Sequence, residues 1–69
     1  MYFTKRELDV LDGVCKGETN KQIAKNLDVK EATVKFYLTN IFQKTHLKNR
    51  CQLIVEIFHK RLILDQLVE

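Results

Sequence analysis

The side chains with the clearest chemical potential lie on one side of a helix predicted over residues 31–45. At about 100° per residue, this side lies opposite the apolar stripe of the helix, with one lysine at its edge. After Glu31 it carries no carboxylate, whereas a helix face that is only solvated usually mixes both signs of charge. Small, amide, aromatic and hydroxyl side chains of this kind can contact base edges and thymine methyl groups. The face consists of Ala32, Phe36, Thr39 and Gln43, with Lys35 at its edge.

A second set of polar side chains lies on one flank of the same predicted helix. Hydroxyl, amide and ammonium groups are the donors that commonly bind phosphate oxygens. The flank consists of Thr33, Tyr37, Asn40 and Lys44. The predicted core stripe consists of Val34, Leu38, Ile41 and Thr45. Phe36 lies opposite that stripe, so we expect either a thymine methyl group or a protein partner to cover its ring.

Positive charge is concentrated in the middle of the chain. Residues 19–50 carry seven basic and two acidic side chains, whereas residues 1–18 and 51–69 each have a net charge of −1. A basic middle between near-neutral ends favours an anionic partner that docks on one element. The alternative is a solvated surface on which charges cluster by chance.

Catalytic and metal-binding chemistry has little support in the sequence. His46 and His59 have no Ser, Cys or Asp partner at a useful spacing, and no Gly-rich phosphate loop occurs. Glu7 and Glu31 lie at predicted helix starts, where carboxylates stabilise the helix dipole. We therefore expect neither an enzyme nor a bound metal or cofactor.

The two cysteines are predicted to be buried free thiols. Cys15 and Cys51 are far apart in apolar helical patterns, and the chain has no CxxC motif. Free thiols indicate a reducing compartment, so we expect a cytoplasmic protein. No apolar run approaches the roughly 20 residues that a membrane span needs.

The helical signals predict one compact all-α domain of four helices over residues 1–69. Two capping boxes mark the first two helix starts, one pairing Thr4 with Glu7 and the other pairing Thr19 with Gln22. Gly17 is placed to end the first helix, because glycine tolerates the left-handed conformation. The second and third predicted helices are separated only by residues 27–30, which is the spacing of a helix-turn-helix without the usual turn glycine.

The fourth predicted helix begins after Asn49, continues past His59 and has two apolar sides. Leu53, Ile57 and Leu64 lie on one side, which can face the core of the domain. The nearly opposite side needs a second partner, either a symmetry-related copy or the folded-back tail of the same chain. That side consists of Cys51, Val55, Phe58 and Leu62.

Spaced identities over about residues 3–58 resemble the LuxR-type (GerE-like) helix-turn-helix of bacterial transcription regulators. They are Phe3-Thr4-Lys5-Arg6-Glu7, Val10-Leu11, Gly17, Asn20-Lys21-Gln22-Ile23-Ala24, Leu27, Thr33-Val34-Lys35, Ile41, Lys44 and Asn49-Arg50. The resemblance implies a four-helix domain that binds double-stranded DNA as a dimer, with the third helix in the major groove and the fourth at the dimer interface. It also makes RNA polymerase a candidate partner.

The resemblance also assigns roles to individual residues. Lys35, Phe36 and Thr39 correspond to base-facing positions, with Ala32 nearby. The positions that correspond to phosphate contacts are Asn20, Lys21, Thr33, Tyr37 and Lys44. These faces agree with those predicted from helical geometry.

The chain departs from the family pattern at several positions. Lys30 stands where the family often has the serine that caps the third helix, and Tyr37 and Thr45 replace a histidine and a leucine. The tail, predicted as a helical extension over residues 59–69, runs beyond the usual end of the pattern.

Relatives usually carry a receiver or sensing domain, so both a stand-alone regulator and a fragment of one remain open. A second functional hypothesis is a module of the same fold that pairs with another protein through its fourth helix.

Overall fold

The computed structural model describes residues 3–59 and contains the four predicted helices. They are α1 (Lys5–Cys15), α2 (Asn20–Leu27), α3 (Glu31–Thr45) and α4 (Arg50–Phe58). The predicted all-α fold class with a helix-turn-helix is confirmed. None of the helices in this part of the chain is long and apolar enough to cross a lipid bilayer.

Both predicted capping boxes are present at the starts of α1 and α2. Thr4 Oγ1 accepts a hydrogen bond from the Glu7 N–H at 3.1 Å, and the Thr4 N–H donates to Glu7 Oε1 at 2.9 Å. Thr19 and Gln22 form the same reciprocal pair, at 3.1 and 2.8 Å. Each box satisfies two N–H groups that a helix start would otherwise leave without a partner.

Glycine is required at two places near the end of α1. Gly17 has a φ of 78°, and next to it the Glu18 N–H donates to the Gly13 carbonyl at 3.0 Å, which closes the helix as predicted. Gly13 lies where α2 approaches α1, and a Cβ there would come within 2.6 Å of Ile23 Cγ1. This role of Gly13 was not predicted, because a close approach between helices leaves no local signal in the sequence.

Residues 28–30 form the turn between α2 and α3. Asp28 adopts the left-handed conformation with a φ of 58°, so it takes the place of the missing turn glycine. The Val29 N–H donates to the Ala24 carbonyl at 2.9 Å and closes α2. Lys30 is the N-cap of α3 and makes no side-chain capping bond, as its residue type predicts.

The core forms where α3 packs against α1 and α2 while α4 packs against α1. Val34, Leu38 and Ile41 are buried as predicted, whereas Thr45 is only half-buried. Leu53 is the buried residue of α4. Within residues 3–59, ten hydrophobic residues are buried, namely Phe3, Val10, Leu11, Val14, Ile23, Ala24, Val34, Leu38, Ile41 and Leu53.

The fourth helix begins at its predicted cap. Asn49 Oδ1 accepts a hydrogen bond from the Gln52 N–H at 2.9 Å, and Gln52 Oε1 accepts one from the Lys48 N–H at 2.8 Å. In the described part of the chain the helix is Arg50–Phe58, with His59 as its C-cap. The predicted continuation past His59, with Leu62 and Leu64, lies outside the described residues.

Candidate nucleic-acid interface

The four predicted base-reading residues are all exposed on α3. Ala32, Lys35, Phe36 and Thr39 lie on the side of the helix away from the buried stripe. Phe36 is 61% exposed, which is a large uncovered area for an aromatic ring. The face therefore presents one ammonium group, one ring and two small side chains.

The ring of Phe36 contacts its neighbour Tyr37. The two ring centroids are 5.9 Å apart and the planes meet at 60°, an edge-to-face arrangement. Tyr37 is half-buried and packs against the core. One side of the exposed Phe36 ring is therefore supported by a residue that the fold itself holds in place.

Thr39 uses its hydroxyl proton within the helix. Its Oγ1 donates to the Lys35 carbonyl oxygen at 3.0 Å, a bond that threonine often makes four residues back along a helix. In this conformation the side chain presents oxygen lone pairs and a methyl group to its surroundings. The sequence alone left both donor and acceptor roles open to Thr39.

The predicted phosphate-contacting residues differ in their surroundings. Lys21 is exposed near the start of α2, and Thr33, Tyr37 and Asn40 are half-buried on the flank of α3. Lys44 is placed differently, because its Nζ lies 2.6 Å from Oε1 of the buried Glu7.

Asn20 is held by a residue that sequence reasoning did not assign to the site. Arg50, at the start of α4, donates from Nη1 to Asn20 Oδ1 and from Nη2 to the Glu18 carbonyl oxygen, both at 2.7 Å. Arg50 and Asn20 are 30 positions apart, so only the tertiary fold brings them together. The family motif was the one signal that marked Arg50 in the sequence.

The outward side of α4 is exposed as its pattern predicts. Val55 and Phe58 are 48% and 70% exposed, whereas Leu53 is buried and Ile57 packs against the core. Cys51 lies on the exposed side. This side therefore leaves apolar area uncovered in the single chain.

Neither of the two thiols is fully buried, which differs from the prediction. Both cysteines are free, but Cys51 is exposed and not buried, because the start of α4 turns it away from the core. Cys15 is half-buried, and burial together with the nearby Asp12 carboxylate raises the pKa of its thiol. A raised pKa keeps that thiol protonated and unreactive.

The described residues include no group of three or more His, Cys, Asp or Glu side chains placed to hold a metal ion. His46 and His59 are exposed at the C-terminal ends of α3 and α4. The side chains best placed to meet a ligand are those on α3 and at the start of α2.

Comparison with known proteins identifies the relatives of this chain. The profile of the GerE family, described as bacterial regulatory proteins of the luxR family, matches residues 1–57. The glycerol metabolism activator of Pseudomonas putida is 48% identical over 52 residues, which make up 75% of this chain and 24% of that protein. The nitrate/nitrite response regulator NarP of Escherichia coli (strain K12) is 38% identical over 58 residues, or 84% of this chain and 27% of that protein.

The oxygen regulatory protein NreC of Staphylococcus carnosus (strain TM300) is 40% identical over 60 residues, which are 87% of this chain and 28% of that protein. The chain thus spans about a quarter of the length of these relatives. No solved structure gives a significant match. With its helix-turn-helix and this family match, the chain belongs to the LuxR family of bacterial regulatory proteins as a DNA-binding domain.

Proposed function

We propose that this domain binds double-stranded DNA in a sequence-specific way, with α3 in the major groove, and so regulates transcription. The observation that carries the proposal is the exposed, carboxylate-free face of α3, which combines the ammonium group of Lys35 with the uncovered ring of Phe36. Lys35 can donate to guanine N7 and O6, and Phe36 can cover a thymine methyl group. Thr39 and Ala32 complete the face.

Contacts to phosphates would fix the orientation of the domain on the duplex. Lys21 is exposed near the start of α2, where the partial positive charge of the helix end also favours an anion. We assign the remaining contacts to Asn20, Thr33, Tyr37 and Asn40. Lys44 was predicted to join them, and its bond to Glu7 would have to lengthen or be shared for that contact to form.

We propose that the outward side of α4 pairs with a second copy of the chain. Cys51, Val55 and Phe58 leave an apolar surface that a two-fold axis could bury against itself. Leu62 belongs to the same predicted interface but lies outside the described residues. Sedimentation at tens of micromolar should show a monomer–dimer equilibrium, which Phe58→Glu should shift to monomer. A wild-type chain that stays monomeric and binds DNA only as single half-sites would remove this part of the proposal.

A second candidate function is regulation of another protein through the same surfaces. The exposed Phe36 and Phe58 favour it, because each could be covered by a protein partner and not by DNA or a second copy. Under this hypothesis Phe36→Ala would leave DNA binding unchanged and abolish a protein complex. RNA polymerase is one candidate protein partner.

We also propose that the chain acts in the reducing cytoplasm, because its proposed ligand is DNA and its thiols are free.

Gel shifts with random-sequence duplex DNA at low salt test the proposed function directly. Even non-specific binding should appear there and should weaken steeply as salt rises, because counterions are released from the phosphates. Lys21→Ala should weaken binding to all sequences and lower the slope of log affinity against log salt concentration by about one unit. Lys16→Ala is the matched control, because Lys16 is the C-cap of α1 and pairs with Asp12 at 3.0 Å. If the wild-type chain fails to bind duplex DNA at low salt, the proposal is wrong.

A further inference from the structure

The guanidinium group of Arg50 joins the start of α4 to the start of α2 and to Glu18, which lies just before that helix. Arg50 lies at the first position of α4, and its two donors reach Asn20 Oδ1 and the Glu18 carbonyl oxygen, each at 2.7 Å. Glu18 directly precedes the N-cap of α2, and Asn20 is the first residue of that helix. The planar fork therefore holds the start of α2 against the start of α4 at two points.

The bond to Arg50 decides how the Asn20 amide is oriented. A guanidinium group has only donors, so the Asn20 atom that it contacts must be the carbonyl oxygen and not the amide nitrogen. Nδ2, with both of its donors, then lies on the other side of the amide group. Asn20 is half-buried, and no residue within 3–59 accepts a hydrogen bond from its Nδ2.

We propose that Arg50 is a positioning residue for DNA binding, which fixes the Asn20 amide so that Nδ2 is presented to a DNA phosphate. This inference rests on the proposed function, because the phosphate is the ligand that Asn20 would bind. Arg50 acts through Asn20 and makes no contact with DNA itself. It thereby links α4, the proposed dimer helix, to a DNA contact on α2.

A double-mutant cycle measured by DNA affinity tests this coupling in the 69-residue chain. Asn20→Ala should weaken binding to a random-sequence duplex about tenfold, the effect of losing one hydrogen bond to a charged group. Arg50→Lys should weaken it nearly as much, because an ammonium group keeps the charge but cannot hold both acceptors in one plane. The double variant should bind no more weakly than the weaker single variant.

Two further variants separate positioning from folding. Asn20→Asp keeps an acceptor for Arg50 and places a carboxylate in the first turn of α2, so stability in urea should not fall. Its DNA affinity should nevertheless fall below that of Asn20→Ala, because the Nδ2 donors are lost and a negative charge faces the phosphate. Arg6→Lys, the same replacement on exposed α1, is the matched control and should leave DNA affinity unchanged.

The inference is wrong if Arg50→Lys keeps wild-type affinity, or if it weakens binding by the same factor with and without Asn20. A measurement on the wild-type chain covers the case in which Arg50→Lys does not fold. Nitrogen-15 relaxation of the Asn20 side-chain amide should show a rigid group in the free protein, and a freely rotating amide would also overturn the inference. Wild-type protein that does not bind duplex DNA would instead refute the proposed function, so the two failures are distinguishable.

Discussion

Lys44 Nζ donates to Glu7 Oε1 at 2.6 Å and so joins the last turn of α3 to the first turn of α1. The same Oε1 accepts the capping bond of the Thr4 N–H. Glu7 is only 3% exposed, and the Lys44 ammonium group lies 5.7 Å from the centre of the Phe3 ring. A carboxylate buried this deeply needs a partner, so the capping box of α1 and the end of α3 depend on each other.

Removing the lysine should therefore cost stability. We expect Lys44→Met to lower the free energy of unfolding by about 1–3 kcal/mol, because the Glu7 carboxylate would remain buried with less compensation. Glu7→Gln in the same chain should recover part of the loss, since glutamine keeps the acceptor for Thr4 and carries no charge. Urea melts of the two single variants and the double variant measure the coupling. Strictly additive losses would show that the pair does not act as a unit.

Substitutions at the helix caps should change stability in opposite directions at different helix starts. Thr4→Ala and Thr19→Ala should each lower stability by about 0.5–2 kcal/mol, because each removes a side-chain acceptor at a helix start. Lys30→Ser should raise stability by about 1 kcal/mol, because it supplies the cap that α3 lacks. Urea midpoints of the three variants give the comparison. A destabilised Lys30→Ser would indicate that Lys30 has a compensating role in the folded chain.

Gly13→Ala should lower stability although Gly13 lies inside a helix. In an exposed helix this substitution usually gains about 1 kcal/mol. Here the new methyl group would meet Ile23 Cγ1 at 2.6 Å and Cδ1 at 3.0 Å, so α2 would have to move away from α1. Thermal melts should show a lower midpoint for Gly13→Ala and partial recovery when it is combined with Ile23→Val. A more stable Gly13→Ala chain would contradict the close approach of these helices.

Local signals explain why the fold was largely predictable from the sequence. The structure confirms the two threonine capping boxes, the stop at Gly17 and the period of Val34, Leu38 and Ile41. Each of these signals lies within one helix or at its end. The left-handed Asp28 was not predicted, because aspartate tolerates that conformation without requiring it.

Contacts between distant segments explain what the sequence did not predict in the candidate site. A lysine at position 44 could face either a phosphate or a buried carboxylate. Neither the residue type of Lys44 nor its position in the helical pattern distinguishes the two. The bond from Arg50 to Asn20 joins residues 30 positions apart, and the bond from Thr39 to the Lys35 carbonyl depends on one rotamer. Periodicity assigns side chains to faces, but it does not assign partners to them.

The exposed face of α3 with Lys35, Phe36 and Thr39 offers the most direct test of sequence-specific binding. A preferred site is first selected from a random DNA pool, and the affinity of Phe36→Ala for it is then compared with that of the wild type. If the Phe36 ring covers a thymine methyl group, replacing that thymine with uracil should weaken wild-type binding and leave Phe36→Ala nearly unchanged. Phe58→Ala, which removes an exposed ring from α4, is the matched control and should keep the difference between thymine and uracil.

The neighbouring residues should respond differently to base changes. Lys35→Ala should lose preference for guanine over the other bases at the contacted position, by about 1–3 kcal/mol for a good contact. Thr39→Val should have a smaller effect at a thymine than at an adenine or cytosine, because its hydroxyl proton is already bonded to the Lys35 carbonyl and only its lone pairs can accept from a base amino group. If Lys35→Ala, Phe36→Ala and Thr39→Ala all keep the wild-type affinity and site preference, α3 does not read the DNA sequence and the proposed mode of binding is wrong.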